Sequence, residues 1–288
     1  MFDRMNIRTA HKQQLTDDLR SWLRAQLAGG CRPGDVLAAM RASGWDETLA
    51  LHALQEAQPG AQAPLELPPA GSVPEPDLAG GASVIDVDGH PVRVLLAMRH
   101  PRVIVLGHVL TDAECDALIE EARPRLARSE TVDNSTGGSE INAARTSQGM
   151  FFQRGETPLI QRLENRIGAL LRWPVRWGEG LQVLRYGPGA EYRPHHDYFD
   201  PQHPGTEAVL RRGGQRVGTL IVYLNTPARG GATTFPDVLL DVAAVRGQAV
   251  FFSYDRPHPV TRTLHGGAPV IDGEKWVATK WLREREFN

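Results

Sequence analysis

Two histidines and one aspartate are the residues of this chain whose types and spacing could form a metal site. His195 and Asp197 are separated by one residue, and His265 comes much later in the chain. Two imidazoles and one carboxylate are the ligand set that holds non-haem Fe(II) and leaves coordination positions open. Lys275, ten residues past His265, could hold an acidic co-substrate as a compact positive charge.

The geometry of a β-strand favours this grouping. Residues i and i+2 of a strand point to the same side, so His195 and Asp197 would converge. The second histidine must come from a neighbouring strand, and His258 and His265 are both candidates. His258 lies in a turn flanked by prolines, whereas His265 precedes the turn signal Asp272-Gly273 and a final strand. We therefore favour His265, and we expect the strand that begins at Lys275 to pair with the strand of that ligand.

The composition limits the function classes. The chain has 288 residues, 41% hydrophobic and 23% charged, with a formal net charge of −2 and two cysteines, Cys31 and Cys115. The absence of a basic block argues against a nucleic-acid-binding protein. Two distant cysteines indicate neither a disulfide framework nor a cysteine-rich zinc site. No secretory signal and no run of about 18 apolar residues is visible, so no membrane association and a cytoplasmic location are expected.

The sequence predicts three regions. Residues 1–57 carry leucines at helical spacing and form a small three-helix module, which resembles the ubiquitin-associated type. Residues 58–82 are rich in Pro, Gly and Ala and are interpreted as a linker. Residues 83–288 are expected to form one larger domain, which carries the candidate metal site. The module could recruit a protein partner or pack on that domain, and the sequence does not choose between these.

Short strands separated by turn residues dominate this larger domain. A capping box, Thr111 to Glu114, begins one helix, and a second helix is predicted from residue 160 to 171. Strands are predicted at 92–96, 103–106, 181–186, 191–198, 217–225, 232–235, 248–254, 259–264 and 275–283. This order of elements indicates an α+β protein with a β-sandwich core.

Six segments, two of which contain the metal-site residues, resemble in the same order segments of the Fe(II)/2-oxoglutarate-dependent dioxygenases, specifically the prolyl 4-hydroxylase family. The resemblance covers residues 100–285. The segments are Leu110 to Ile119, Arg145 to Phe151, Gln182 to Tyr186, Tyr192 to Phe199, Gly230 to Pro236 and Leu264 to Trp281.

The resemblance implies a fold and a set of cofactors. The fold is a double-stranded β-helix, which is jelly-roll-like, with flanking helices. His195, Asp197 and His265 would bind Fe(II), Lys275 would pair with the distal carboxylate of 2-oxoglutarate, and Tyr186 would hydrogen-bond this co-substrate. O₂ is the oxidant, and ascorbate is an additional reductant that the family brings into consideration.

The resemblance also implies substrate residues. Arg145 and Trp281 would line a peptide site, and either Thr219 or Thr233 would assist the co-substrate. Arg283 departs from the histidine that relatives often carry there, which bears on peptide specificity. The Gly-rich segment 129–141 could be a lid or an ordinary surface loop.

The expected reaction is hydroxylation of prolyl residues in a protein or peptide, with release of succinate and CO₂. The same chemistry on another amino-acid residue, a free amino acid or a small molecule is the alternative. A non-catalytic interaction protein is a third reading, but the intact set of ligands argues against it.

Overall fold

The structure is a computed structural model that describes residues 16–29, 31, 33–57, 71–129, 131–132, 138–140 and 146–288. The chain divides into two compact units, Met1–Leu67 and Pro68–Asn288. None of the helices in these described ranges is long and apolar enough to cross a bilayer.

The first unit contains the three helices that the sequence predicts. They are α1 (Asp17–Ala28), α2 (Pro33–Ala42) and α3 (Glu47–Ala57). Thr16 caps α1 by accepting a hydrogen bond from the Leu19 amide at 3.3 Å, and Asp46 does the same for Leu49 at 3.0 Å ahead of α3. The core of this unit contains both large and small apolar side chains, among them Leu23, Met40, Ala50 and Ala53.

The second unit begins earlier than the sequence indicates. The described end of the predicted linker, residues 71–82, packs on this unit, with Pro74 and Pro76 buried. The Glu75 amide donates to the Leu171 carbonyl at 2.9 Å. These prolines are therefore part of the fold because they cover apolar surface, and the boundary predicted at residue 83 is too late.

The second unit is built mainly of antiparallel strands. Its strands are β1 (Val84–Val87), β2 (His90–Met98), β3 (Arg102–Gly107), β4 (Ala127–Arg128), β5 (Thr131–Val132), β6 (Ser139–Glu140), β7 (Gln148–Phe152), β8 (Leu181–Tyr186), β9 (Tyr192–His195), β10 (Arg216–Tyr223), β11 (Arg229–Gly230), β12 (Thr233–Phe235), β13 (Leu240–Val242), β14 (Ala249–Ser253), β15 (His265–Gly267), β16 (Val270–Asp272) and β17 (Lys275–Arg283). Its helices are α4 (Asp112–Ala122), α5 (Pro158–Leu171) and the short α6 (Thr206–Leu210).

Two sheets define the architecture. The larger has nine strands in the order β1-β2-β3-β14-β10-β17-β8-β7-β4, and the smaller has the order β13-β12-β15-β9. From β8 to β17 the chain passes back and forth between the two sheets. This is the double-stranded β-helix that the sequence predicts, with helices flanking it.

The large sheet is covered on both faces. One face packs with α4 and α5, whose buried residues include Leu118 and Leu163. The other face packs against the small sheet, which contributes Phe235 and Val242. The capping box of α4 is present: the Thr111 amide donates to the Glu114 carboxylate at 2.9 Å, and the Glu114 amide donates to the Thr111 hydroxyl at 3.2 Å.

Two local predictions are wrong. Residues 259–264 were expected to be a strand, but Pro259–Thr261 is a 3₁₀ turn that the His258 side chain caps. Asp272-Gly273 does not join paired strands either. Strand β16 pairs with β11, while β17 pairs with β10 and β8. This turn instead carries the chain from one layer to the other.

Candidate active site

The two histidines of the predicted site lie opposite each other on paired strands of the small sheet. His265 at the start of β15 is the register partner of His195 at the end of β9, and their ring centroids are 4.4 Å apart. Asp197 lies two residues beyond β9. One ligand atom from each of the three residues falls within 4.8 Å of the others. The structure therefore brings together the residues that the sequence singles out.

Backbone carbonyls orient both imidazole rings. His195 Nδ1 faces the Arg193 carbonyl at 2.9 Å, and His265 Nδ1 faces the Thr263 carbonyl at 3.0 Å. Nδ1 must carry the proton in each ring to donate these hydrogen bonds, which leaves the Nε2 lone pairs directed at the carboxylate. Each Nε2 lies 3.5 Å from one oxygen of Asp197. This tautomer is the one that a metal-binding histidine requires.

The protonation states suit a divalent metal. Burial lowers the pKa of His265 from 6.5 to about 4, so this imidazole is neutral near pH 7. Burial opposes the charged form of Asp197, but His265 and His195 outweigh it and hold the carboxyl pKa well below its ordinary 3.8. A neutral imidazole and an ionised carboxylate can bind a metal without first releasing a proton.

Lys275 reaches the same cavity from the large sheet. It is the register partner of Tyr186 on β8, and its Nζ lies 5.5 Å from the Tyr186 ring and 5.7 Å from the Tyr223 ring. The expectation that its strand pairs with the ligand strand is wrong, because β17 lies in the facing layer. Lys275 and the histidines therefore face each other across the interior of the sandwich.

The ammonium group of Lys275 is buried without a carboxylate beside it. Its side chain is 4% exposed, and burial lowers its pKa from 10.5 to about 8, with no anionic neighbour among the described residues to offset this. A buried cation without a counter-ion is costly. The position is thus suited to a ligand that brings its own negative charge.

Aromatic side chains form the outer part of the cavity. Trp281 lines it together with Tyr192, and Phe151, which is 50% exposed, lies 6.3 Å from the Trp281 ring. Tyr192 stacks on His195 with centroids 3.7 Å apart. The indole Nε1 of Trp281 is buried and has no hydrogen-bond acceptor within the described ranges. An N–H donor in this situation requires an acceptor from a bound molecule or water.

A buried ionic cluster of Glu179, Arg216 and Arg283 packs against Trp281 through the Arg216 guanidinium. Arg216 makes two hydrogen bonds to Glu179, at 2.7 and 2.9 Å, and its guanidinium lies 4.0 Å from the Trp281 ring centroid. Arg283 donates to the same carboxylate at 2.6 Å. Burial raises the Glu179 pKa, but the two guanidiniums outweigh it and lower that pKa below its ordinary value. The arginine that departs from the family pattern is therefore a structural partner of Glu179.

The remaining predicted residues differ in outcome. Thr233 lines the cavity, whereas Thr219 is hydrogen-bonded to Asp197. Arg145 lies outside the described residues, as do residues 130, 133–137 and 141 of the segment considered as a lid. Sequence reasoning missed Glu179 and Arg216, because their contact with Trp281 depends on a strand register that no local pattern reveals.

Comparison with known proteins agrees with this geometry. Residues 181–283 match the family model of the 2OG-Fe(II) oxygenase superfamily. Prolyl 4-hydroxylase 5 of Arabidopsis thaliana is 38% identical over 208 residues, which is 65% of this chain and 70% of that protein. Prolyl 4-hydroxylase 1 of the same plant is 41% identical over 203 residues, 64% of this chain and 70% of that protein. The chain belongs to the prolyl 4-hydroxylase family.

One solved structure is also similar to this chain. The viral collagen prolyl hydroxylase from Paramecium Bursaria Chlorella virus-1, in its complex with 2-oxoglutarate, is 30% identical. The match covers 63% of this chain and 95% of that one, with a TM-score of 0.48. As a prolyl 4-hydroxylase family member, this chain is an enzyme, and its cofactors are Fe(II) and 2-oxoglutarate.

The donor set fits this assignment. Two imidazoles and one carboxylate, grouped on one side of a cavity, suit a non-haem Fe(II) ion that keeps sites open for other ligands. A buried cation faces this set across the same cavity. A dianionic co-substrate such as 2-oxoglutarate would supply the charge that Lys275 lacks.

Proposed function

We propose that this enzyme hydroxylates prolyl residues of a protein or peptide, with conversion of 2-oxoglutarate and O₂ to succinate and CO₂. His195, Asp197 and His265 are proposed to hold Fe(II), which supplies the oxidising chemistry when bound. Lys275 is proposed to bind the distal carboxylate of 2-oxoglutarate, with Tyr186 and Thr233 beside it. The kinship with prolyl 4-hydroxylases supports the choice of substrate.

The chain's own residues would orient the reactants and exclude water. The carbonyls of Arg193 and Thr263 hold the two imidazoles in one tautomer, so the metal would meet preformed ligands. The buried Lys275 would bind one end of the co-substrate at a fixed position. None of these groups has to donate or accept a proton during the reaction.

The aromatic side chains at the cavity, Trp281, Tyr192 and Phe151, are the observation that most directly supports a peptide substrate, because the indole N–H of Trp281 has no acceptor among the described residues. Proline-rich segments adopt an extended helix without internal hydrogen bonds, and aromatic grooves bind such segments. Trp281 and Phe151 would contact the rings of the substrate, while Trp281 Nε1 would donate to a peptide carbonyl. Arg145 is proposed as a further peptide contact on the strength of the family resemblance alone.

The test is a panel of proline-containing peptides, incubated with Fe(II) and 2-oxoglutarate and analysed by mass spectrometry for one added oxygen on proline. Trp281→Phe, which removes the N–H donor, should raise the KM for the peptide about 3- to 10-fold, as expected for one hydrogen bond. The KM for 2-oxoglutarate is the internal comparison. Trp177→Phe is a matched control, because Trp177 packs edge-on against Trp173 at 5.5 Å and does not line the cavity. Oxidation of other residues or small molecules, but not of any peptide proline, would contradict the proposal.

Three subsidiary proposals rest on the sequence. Ascorbate would act as an auxiliary reductant, as the family resemblance suggests. A cytoplasmic location is consistent with the two cysteines, Cys31 and Cys115, which are both free.

The helices α1 to α3 would recruit a protein partner. Pull-down with the intact chain, compared with a variant lacking these helices, tests this proposal.

A further inference from the structure

A chain of two buried hydroxyl groups extends from Asp197 into the core of the large sheet. Thr219 Oγ1 lies 2.7 Å from Asp197 Oδ2 and 3.0 Å from the Tyr254 hydroxyl. All three side chains are buried. A threonine hydroxyl has one proton to donate. Since Thr219 gives that proton to the carboxylate, its oxygen must accept from Tyr254, and the direction of both hydrogen bonds is fixed.

The two ends of this chain differ in their backbone support. Asp197 lies in a bend beyond the end of β9, outside the ladder that holds the two histidines. Thr219 is in the middle of β10, which is paired with β14 on one side and β17 on the other, opposite Phe252 and Trp281. The hydroxyl chain thus connects the one ligand that no strand holds to a central strand of the facing sheet.

We propose that Tyr254 is a positioning residue for the metal site, which acts through Thr219 to hold the Asp197 carboxylate in its ligating orientation. The Thr219 hydrogen bond engages Oδ2 and leaves Oδ1 without a hydroxyl or amide donor among the described residues. One oxygen is therefore free for the metal while the other is fixed. This inference rests on the proposed role of Asp197 as a ligand.

The surroundings of Tyr254 favour a donor role for its hydroxyl. Its ring packs against Tyr198 and Phe252, with centroids 6.0 and 6.3 Å away. Burial raises the pKa of Tyr254 well above 10, with a further contribution from Asp197, so the phenol keeps its proton. Within the described part of the chain, Thr219 Oγ1 is the one hydrogen-bond partner of this hydroxyl.

Metal affinity, measured without turnover, tests the proposal. Fe(II) binding is measured anaerobically by calorimetry, and Co(II) absorption spectra report the coordination. Thr219→Val should weaken binding about 10- to 100-fold, the usual effect of removing a partner of a metal ligand. Tyr254→Phe should weaken it about 3- to 10-fold, the effect of one hydrogen bond, and should change the Co(II) spectrum. Thr219→Ser, which keeps the hydroxyl, should restore near-wild-type affinity.

Two comparisons separate positioning from a merely structural role. Tyr254→Phe should add no further loss of metal affinity in the Thr219→Val background, since the same chain is already broken. Ser147→Ala is the control. It removes a buried hydroxyl that donates to Ser129 at 2.9 Å away from the cavity lining, and it should leave Fe(II) affinity unchanged.

Wild-type affinity in Tyr254→Phe, or losses in the double variant that simply add, would overturn this inference. If Thr219→Val does not fold, the Tyr254→Phe measurement still decides. A wild-type chain that binds no Fe(II) would instead overturn the proposed function, so the two failures are distinguishable.

Discussion

Replacing Lys275 with methionine should stabilise the protein in the absence of co-substrate while removing co-substrate binding. Burial lowers the pKa of Lys275 from 10.5 to about 8, and no anionic side chain in the described part of the protein compensates. Because each pKa unit corresponds to about 1.4 kcal/mol, the charged ammonium destabilises the folded state by up to about 3 kcal/mol near neutral pH. Methionine fills a similar volume without charge. The free energy of unfolding of Lys275→Met should therefore exceed that of the wild type by this order.

The pH dependence provides a second measurement with a defined sign. Between pH 8 and 10.5 the unfolded chain binds more protons at Lys275 than the folded chain does, so wild-type stability should rise relative to the variant. The difference in the free energy of unfolding between Lys275→Met and the wild type should have its full value below pH 8 and should vanish near pH 10.5. Urea titrations of both proteins across this range measure it. At a fixed concentration of a divalent metal, which both proteins should bind, addition of 2-oxoglutarate should stabilise the wild type and leave the variant nearly unchanged.

Lys280→Met is a control of opposite sign on the same strand. Lys280 is as buried as Lys275, but its Nζ donates to Glu164 at 2.5 Å. Removing it leaves a buried carboxylate without its partner, which should lower the free energy of unfolding by about 3 to 5 kcal/mol. A Lys275→Met variant that is no more stable than the wild type at pH 7.5, or a difference that persists at pH 10.5, would refute the reasoning.

Further predictions concern the ligands, the small-sheet glycines and the ionic cluster. His265→Ala should abolish succinate formation. His258→Ala removes only the cap of the Pro259–Thr261 turn, so it should retain succinate formation and lower the free energy of unfolding by about 1 kcal/mol. Equal turnover in both variants would show that the wrong histidine had been assigned. Gly267→Ala places a methyl group in the cavity at ordinary contact distances, so the KM for 2-oxoglutarate should rise about tenfold or more without loss of folding. In Gly266→Ala the new carbon would lie 2.9 Å from a backbone oxygen, and urea denaturation should show a loss of about 1 to 3 kcal/mol; the reverse ranking of these two variants would contradict the structure. Glu179→Gln leaves two guanidinium groups around a neutral amide and should cost about 3 kcal/mol in the same assay, and wild-type stability would show that the cluster is not needed.

The sequence predicts which residues meet in the cavity better than it predicts how the strands connect them. The residue types of His195 and Asp197 limit the metal, but the strand predicted over 191–198 ends at His195, and Asp197 lies in a bend beyond it. Their partner His265 is recognisable because a collinear set of motifs surrounds it. Lys275 was assigned the correct cavity but the wrong sheet. The turn at Asp272-Gly273 is compatible both with a hairpin and with a crossover between layers.

Contacts between distant strands could not be predicted. Thr219 reaches Asp197 and Tyr254 only because β10 lies between β14 and β17 in a particular register. A shift of one residue would turn the hydroxyl to the other face. The same holds for Arg216, whose side chain looks like an ordinary surface charge in the sequence but stacks on Trp281 in the structure. Such relations are properties of the assembled sheet.

Strand β17 carries both the proposed binding residue for 2-oxoglutarate and the proposed contact for the peptide substrate, and it fixes the distance between them. Its cavity-facing residues include Lys275 at one end and Trp281 near the other, six residues apart, or about 20 Å along the strand at about 3.3 Å per residue. All nine of its residues are buried, and Lys280 on the opposite face is bound to Glu164. The spacing between the proposed co-substrate anchor, Lys275, and the proposed peptide contact, Trp281, is therefore set by the length of the strand between them. Changes in surrounding loops can alter which substrate enters, but they leave this distance constant.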